Sequence, residues 1–141
     1  MPISTKLTEL AAKPLPKFVN PGMHGIIDWG AAAVFATAGA LFWSRNKRAS
    51  LASYFCAELI GSVIFLTDCP GGVWKKISFE THSQLDPGIA ALVVLIPGLL
   101  GFSDEKESRL FQAMGIGLAA VRGLTNLEEH ASALEMRKRA A

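Results

Sequence analysis

The sequence predicts an all-α fold: a four-helix transmembrane bundle built from two tandem helical hairpins that run as parallel repeats. Half of the 141 residues are hydrophobic, mean hydropathy is +0.32 and only 18% are charged, which is more apolar than an ordinary soluble domain. Four apolar runs lack the recurring polar positions of a surface helix. A shift of 58 residues brings similar motifs of the two halves into register.

The four apolar runs are separated by short segments that carry charges, glycines and turn formers. A helix of about 18 residues is roughly 27 Å long, close to the ~30 Å thickness of bilayer hydrocarbon. We therefore expect every run to cross a membrane. The alternative, a soluble bundle with an apolar core, should show more polar outward positions. The runs are residues 26–43, 51–66, 85–100 and 110–124.

An even number of crossings places both termini on one side of the membrane. Eight lysines and arginines lie on that side and five on the other, so the positive-inside rule predicts cytoplasmic termini. The predicted parts are an N-terminal cytoplasmic segment (1–20), a membrane domain (21–126) and an amphipathic C-terminal tail (127–141). Within the membrane domain, the two repeats are residues 24–68 and 82–126.

The repeated motif combines a histidine and an aspartate with small residues. MHGIIDWGAAAV (23–34) and THSQLDPGIAAL (81–92) share the pattern His-x-x-x-Asp-x-Gly-x-Ala-Ala, and LTD (66–68) matches LTN (124–126). Because each hairpin would cross twice, both copies share one orientation. Their polar residues should then form a ring at one end of the bundle. The expected members are His24, Asp28, Thr67, Asp68, His82, Asp86, Thr125 and Asn126.

Three motifs, TDCPGG, THSQLD and IPGLLGF, resemble those of the SPW-repeat-like family of small four-helix bacterial membrane proteins. The resemblance covers residues 21–126. It implies a four-helix membrane fold in the bacterial inner membrane and no settled biochemical activity. The Ser-Pro-Trp signature of the family is replaced here by Ile96-Pro97-Gly98 in one copy and Ala38-Gly39-Ala40 in the other.

The His/Asp ring has a structural and a ligand-binding interpretation. Residues four apart share a helix face, so each aspartate can orient its histidine and join the hairpins. The ring could instead bind a proton or a small ligand. It could also hold a divalent metal, since imidazole and carboxylate suit Zn, Fe, Ni or Mn. The possible metal ligands are His24, Asp28, Asp68, His82 and Asp86. The sequence itself requires no cofactor.

Two charged residues fall inside the apolar runs. Glu58 lies in the middle of the second run, where we expect it to face the bundle interior, and a proton-coupled transport component that uses Glu58 is one alternative function. Arg122 lies close to the ring end of the fourth run, within reach of the interface or of Asp68. His130, in the tail, is not expected to be a ligand.

Several classes of function lack their signatures. The sequence has no phosphate-binding glycine loop, no Cys-x-x-Cys pair and no nucleophile elbow. A net charge of +2 without a basic stripe argues against nucleic-acid binding. We therefore expect a non-enzymatic structural or accessory membrane module. Its expected partners are the lipid bilayer and either a second copy, in a homodimer, or a larger membrane complex. A metal- or redox-cofactor-binding membrane subunit is the other alternative.

Overall fold

The computed structural model describes residues 15–141, except for the side chains at positions 129 and 130. Residues 1–14 of the predicted N-terminal segment therefore lie outside the described residues. The regular elements of the described chain are helices, apart from one pair of two-residue strands. In chain order its elements are α1 (Pro21–Phe42), α2 (Lys47–Leu66), β1 (Thr67–Asp68), β2 (Ile77–Ser78), α3 (Phe79–Leu99), α4 (Ser108–Leu124) and α5 (Leu127–Ala140).

Helices α1 and α3 begin five to six residues before the apolar runs that predicted them. Each begins after a capping residue in extended conformation: the side chain of Asn20 accepts a hydrogen bond from the backbone N–H of Met23, and Ser78 does the same for Thr81. Such caps satisfy backbone donors that have no partner within the helix. Both His-x-x-x-Asp motifs consequently lie within their helices.

The helices pack as two hairpins, α1 on α2 and α3 on α4. Aromatic side chains fill the core between the hairpins, where the Phe111 ring centroid lies 5.4 Å from that of Phe35 and 5.3 Å from that of Phe102. Helices α3 and α4 approach closely at Gly115. A Cβ atom there would lie 2.8 Å from the carbonyl oxygen of Ala90.

Short parallel pairings connect the two hairpins at the end where α1 and α3 begin. Strand β1 pairs with β2, with Thr67 opposite Ile77. An isolated parallel bridge joins Val19 to Thr125, and the backbone N–H of Asn126 donates to the carbonyl of Val19 at 2.8 Å. Thr125 lies 58 positions after Thr67, and Val19 lies 58 positions before Ile77, so the two pairings involve equivalent positions of the two hairpins. Each hairpin is therefore bound to the other through both of its ends.

The expectation of a four-helix transmembrane bundle is wrong. In the described part of the chain only α1 and α2 are long and apolar enough to cross a membrane, with mean hydropathies of 1.5 and 1.7. Helix α4 has only 17 residues. Helix α3 carries Glu80, His82 and Asp86 in its first turns and two internal prolines, which lower its apolar character. Between residues 15 and 141 the helices number five, because the tail forms α5.

Candidate functional site

Two histidines and two aspartates meet inside the bundle and form what we call the His/Asp quartet: His24 and Asp28 of α1 with His82 and Asp86 of α3. The Nε2 atom of His82 lies 3.0 Å from Asp28 Oδ2 and 3.2 Å from Asp86 Oδ1. The Nε2 atom of His24 lies 3.4 Å from Asp28 Oδ2 and 3.3 Å from Asp86 Oδ2. Each histidine thus contacts both aspartates.

The other nitrogen of each imidazole contacts a threonine of the opposite hairpin. His24 Nδ1 lies 2.7 Å from Thr125 Oγ1, and His82 Nδ1 lies 2.8 Å from Thr67 Oγ1. Each threonine hydroxyl also donates to the carbonyl four residues earlier, at 2.6 Å. Since a hydroxyl has a single proton, it can only accept from the histidine. The geometry therefore places a hydrogen on Nδ1 of both histidines.

Because Nδ1 carries a hydrogen, a neutral imidazole would direct the Nε2 lone pair at the carboxylates. Each Nε2 atom therefore needs a proton or another cation. With both histidines protonated, two imidazolium and two carboxylate charges sum to zero. Burial alone would lower the pKa of His82, but the carboxylates of Asp28 and Asp86 outweigh it and raise that pKa above 6.5. Burial alone would raise the pKa of Asp86, but His24 and His82 outweigh it and lower that pKa below 3.8.

The quartet is largely buried, and the side chain of Asp86 is its most exposed member, at 11%. His24, His82 and Asp28 are 2%, 1% and 5% exposed. The Phe79 ring stacks on His82, with centroids 5.6 Å apart and planes at 20°, and meets His24 edge-on at 5.4 Å. Phe79 was not among the predicted site residues. Its signal in the sequence is its position directly after the capping residue Ser78, which makes it the first residue of α3.

A cavity of about 10 Å³ adjoins the quartet, roughly the volume needed for one water-sized occupant. His82 Nε2 and Asp86 Oδ2 are buried there and make no hydrogen bond, although each has an oppositely charged atom within 3.3 Å. The site therefore combines short ionic contacts with unused hydrogen-bonding capacity. The residues that line the cavity are Asp28, Ile60, Val63, His82, Asp86, Ile89 and Leu118.

Six of the eight predicted ring members meet at this site: the quartet, Thr67 and Thr125. Asp68 does not join them, because its Oδ1 atom lies 3.3 Å from Nζ of Lys75 in the following turn. It is therefore not placed as a metal ligand. Asn126 follows Thr125 and takes part in the backbone pairing with Val19.

The two charged residues of the apolar runs lie apart from the quartet's ionic contacts. Arg122 donates from Nε to the carbonyl of Ser83 at 2.7 Å, so it braces α4 against α3 instead of reaching Asp68. Glu58 is exposed on the outer face of α2, beside Trp29 and Trp74, and the expectation that it faces the bundle interior is wrong. The side chain of His130 lies outside the described residues.

No family model, no curated protein and no solved structure matches this chain. The resemblance to SPW-repeat-like proteins consequently rests on the quoted motifs alone.

Proposed function

We propose that this protein is a small, non-enzymatic membrane-associated module in which the His/Asp quartet fastens two helical hairpins together. The observation that carries the proposal is the crosswise pairing at the quartet. Each histidine contacts the aspartates of both hairpins and a threonine of the opposite one. The two hairpins, related by the shift of 58 residues, would act as two copies of one structural unit.

Each hairpin would lose stabilising partners if it separated from the other. A buried charge without a partner is costly, and removing one member of a buried ion pair costs about 3–5 kcal/mol. In the intact bundle the quartet is charge-balanced and its threonines accept from both histidines. A separated hairpin would retain one histidine and one aspartate, with the threonine acceptor missing. The quartet should therefore select this one arrangement of the hairpins.

The size of the site supports a role without catalysis. The cavity beside the quartet measures about 10 Å³, whereas pockets for small organic ligands measure about 300–1,000 Å³. An organic substrate therefore has no space beside the histidines.

Apolar exteriors support the membrane association. Ile26 and Leu41 of α1 are 71% and 67% exposed, and Leu51 and Phe55 of α2 are 58% and 53% exposed. Large apolar patches of this kind mark membrane or protein contacts. We place the protein in the bacterial inner membrane with both termini in the cytoplasm, on the charge bias and the family resemblance. The same exteriors favour a homodimer or a larger membrane complex as its assembled form.

Membrane association is tested by fractionation. We expect the tagged full chain, expressed in a bacterial host, to stay in the membrane pellet after an alkaline carbonate wash. Release of most of the protein into the supernatant would reject membrane integration.

Fastening by the quartet is tested by cutting the connection between the hairpins. A protease site inserted between Val73 and Trp74, which are 63% and 64% exposed, allows cleavage of the folded protein in detergent. We expect the halves to co-purify after cleavage. Asp28→Asn combined with Asp86→Asn should let them separate, whereas Asp68→Asn should not. Equal retention in all three proteins would show that the quartet does not hold the hairpins together.

A further inference from the structure

We propose that the His/Asp quartet is a binding site for one divalent transition-metal ion of the zinc type. Its ligands are the Nε2 atoms of His24 and His82 with carboxylate oxygens of Asp86 and Asp28. Metal binding at the quartet requires neither the membrane location nor the fastening role.

The distances between the nitrogen and oxygen atoms are close to those between neighbouring ligands of a zinc ion. Zinc bonds to nitrogen and oxygen at about 2.0–2.1 Å, which separates neighbouring ligands of a tetrahedron by about 3.3 Å. The four nitrogen-to-oxygen distances in the quartet run from 3.0 to 3.4 Å. One ligand atom from each of His24, His82 and Asp86 lies within 4.8 Å of the other two. Three ligands therefore lie together as they stand, and Asp28, whose Oδ2 atom lies 3.4 and 3.0 Å from the two nitrogens, would turn toward the ion as the fourth.

The unsatisfied atoms point to the same conclusion. His82 is 1% exposed and its Nε2 atom makes no hydrogen bond, although carboxylate oxygens lie 3.0 and 3.2 Å away. Asp86 Oδ2 is likewise buried without a hydrogen bond. Buried polar atoms in folded proteins normally have a partner. A metal ion between these atoms would satisfy both.

The threonines prepare the histidines for a metal. A metal-binding histidine usually donates its other ring N–H to a nearby acceptor, which fixes the tautomer and the ring orientation. Thr125 and Thr67 are those acceptors, at 2.7 and 2.8 Å from the Nδ1 atoms. The Nε2 lone pairs of the two neutral imidazoles are thereby directed toward the carboxylates, where the ion would lie.

Charge balance holds in the metal-bound state as well. One divalent ion, two neutral histidines and two carboxylates sum to zero, the same net charge as two imidazolium ions with two carboxylates. The ion therefore replaces two protons without leaving a net charge in the bundle, where an uncompensated charge would be costly.

The donors and the available space define the class of ion. Imidazole with carboxylate suits zinc and its first-row neighbours. Calcium takes six to eight oxygen ligands and magnesium retains several waters, which a cavity of about 10 Å³ cannot accommodate. A four-coordinate ion held by protein atoms alone fits the site.

The first test measures bound zinc. The full chain is purified in detergent, stripped with a chelator, incubated with zinc chloride and passed through a gel-filtration column. We expect about one zinc per chain, the number that one four-ligand site holds, and a higher unfolding temperature than that of the stripped protein. Asp68→Asn should retain the zinc and His82→Gln should lose it. A wild-type chain that retains no zinc, or a folded His82→Gln chain that retains as much, would overturn the proposal.

A second test does not depend on removing a ligand. Cobalt(II) added to the stripped wild-type protein should give the intense visible absorption of a four-coordinate nitrogen and oxygen site, and weak octahedral bands alone would overturn the proposal. Thr67→Val, which keeps all four ligands, should weaken zinc binding about 10–100-fold. Unchanged affinity would remove the role assigned to the threonine. Neither measurement reports on carbonate extraction or hairpin separation, so the two proposals can fail independently.

Discussion

His24 Nδ1 lies 2.7 Å from the hydroxyl oxygen of Thr125, a residue 101 positions later in the chain. The equivalent contact, between His82 and Thr67, spans only 15 positions and measures 2.8 Å. A contact between distant parts of the sequence and a nearly local one thus have the same geometry. This equivalence means that each threonine serves the histidine of the other hairpin, and it leads directly to a test of their roles.

Replacing either threonine that contacts the quartet by valine should destabilise the protein. Thr67→Val and Thr125→Val remove the acceptor of a buried histidine N–H, which should lower the free energy of unfolding by about 1–3 kcal/mol each. Thr37→Val is the matched control, because Thr37 is exposed and its hydroxyl bonds only the carbonyl of Ala33, at 2.8 Å. Denaturant unfolding in one detergent measures all three. A loss at Thr37 as large as at Thr67 would contradict the special role of the histidine contact.

Removing one carboxylate from the quartet should lower the free energy of unfolding more than removing a carboxylate at the surface. Asp28→Asn leaves the histidines with a single counter-charge and should reduce the free energy of unfolding by about 3–5 kcal/mol. Asp68→Asn removes only a half-exposed contact with Lys75 and should cost at most about 1 kcal/mol.

Denaturant unfolding in detergent can also test the coupling between Asp28 and His82. Asp28 Oδ2 and His82 Nε2 lie 3.0 Å apart. Groups in direct contact show interaction energies of about 0.5–3 kcal/mol. The double variant Asp28→Asn/His82→Gln should therefore lose less stability than the two single variants added together. Strict additivity would mean that the pair does not interact.

Close approach of α3 and α4 predicts intolerance of a side chain at Gly115. Gly115→Ala would place a methyl group 2.5 Å from a methyl carbon of Val94 and 2.8 Å from the carbonyl oxygen of Ala90. Overpacking of this kind costs about 1–3 kcal/mol. Gly117→Ala is the control on the same helix, since a Cβ atom there meets nothing within 4 Å and alanine favours helix by up to about 1 kcal/mol. The two variants should therefore shift the unfolding temperature in opposite directions.

Stability of the metal-free protein should depend on pH at both ends of a defined window. The pKa of His82 is raised above 6.5, so its contribution is complete below 6.5 and is lost as the pH rises through the raised value. The pKa of Asp86 is lowered below 3.8, so its contribution is complete above 3.8 and is lost as the pH falls through the lowered value. The quartet should therefore stabilise the chelator-treated protein most between these two ordinary values.

Unfolding temperatures measured across the pH range in the presence of chelator test this window. The double variant Asp28→Asn/His82→Gln should show a flatter profile, since it has lost one pair of interacting charges. A wild-type quartet whose contribution, taken as the difference from that variant, increases above pH 8 would contradict the assigned protonation states.

The sequence predicted the helices and the end of the bundle at which the polar residues meet. Spacing of four residues correctly indicated the contact between His82 and Asp86 within α3, at 3.2 Å. It could not indicate the shorter contact between His82 and Asp28 of the other hairpin, at 3.0 Å. Helical periodicity determines which side chains share a face, but the partner across a helix interface depends on how the hairpins pack.

The apolar runs by themselves predict too many membrane crossings, because they leave out the polar turns that precede them. Helix α3 begins at Phe79 and includes Glu80 and His82 before its apolar part. The capping residue Ser78 sets that start, and the preceding β2 strand fixes its position beside β1. The outward position of Glu58 was missed for a related reason. Hydrophobicity in α2 is spread around the helix, so it does not identify the buried face.

The two hairpins are connected at two equivalent places, by the pairing of β1 with β2 and by the pairing of Val19 with Thr125. Only the first of these pairings is also joined by a continuous stretch of chain. Strands β1 and β2 are joined by the short turn of residues 69–76, whereas Val19 and Thr125 are joined by hydrogen bonds alone. The order of the hairpins along the chain is thus independent of how they pack. A circular permutant that links residue 126 to residue 19 and opens the turn at residue 73 would keep both pairings and the quartet between them.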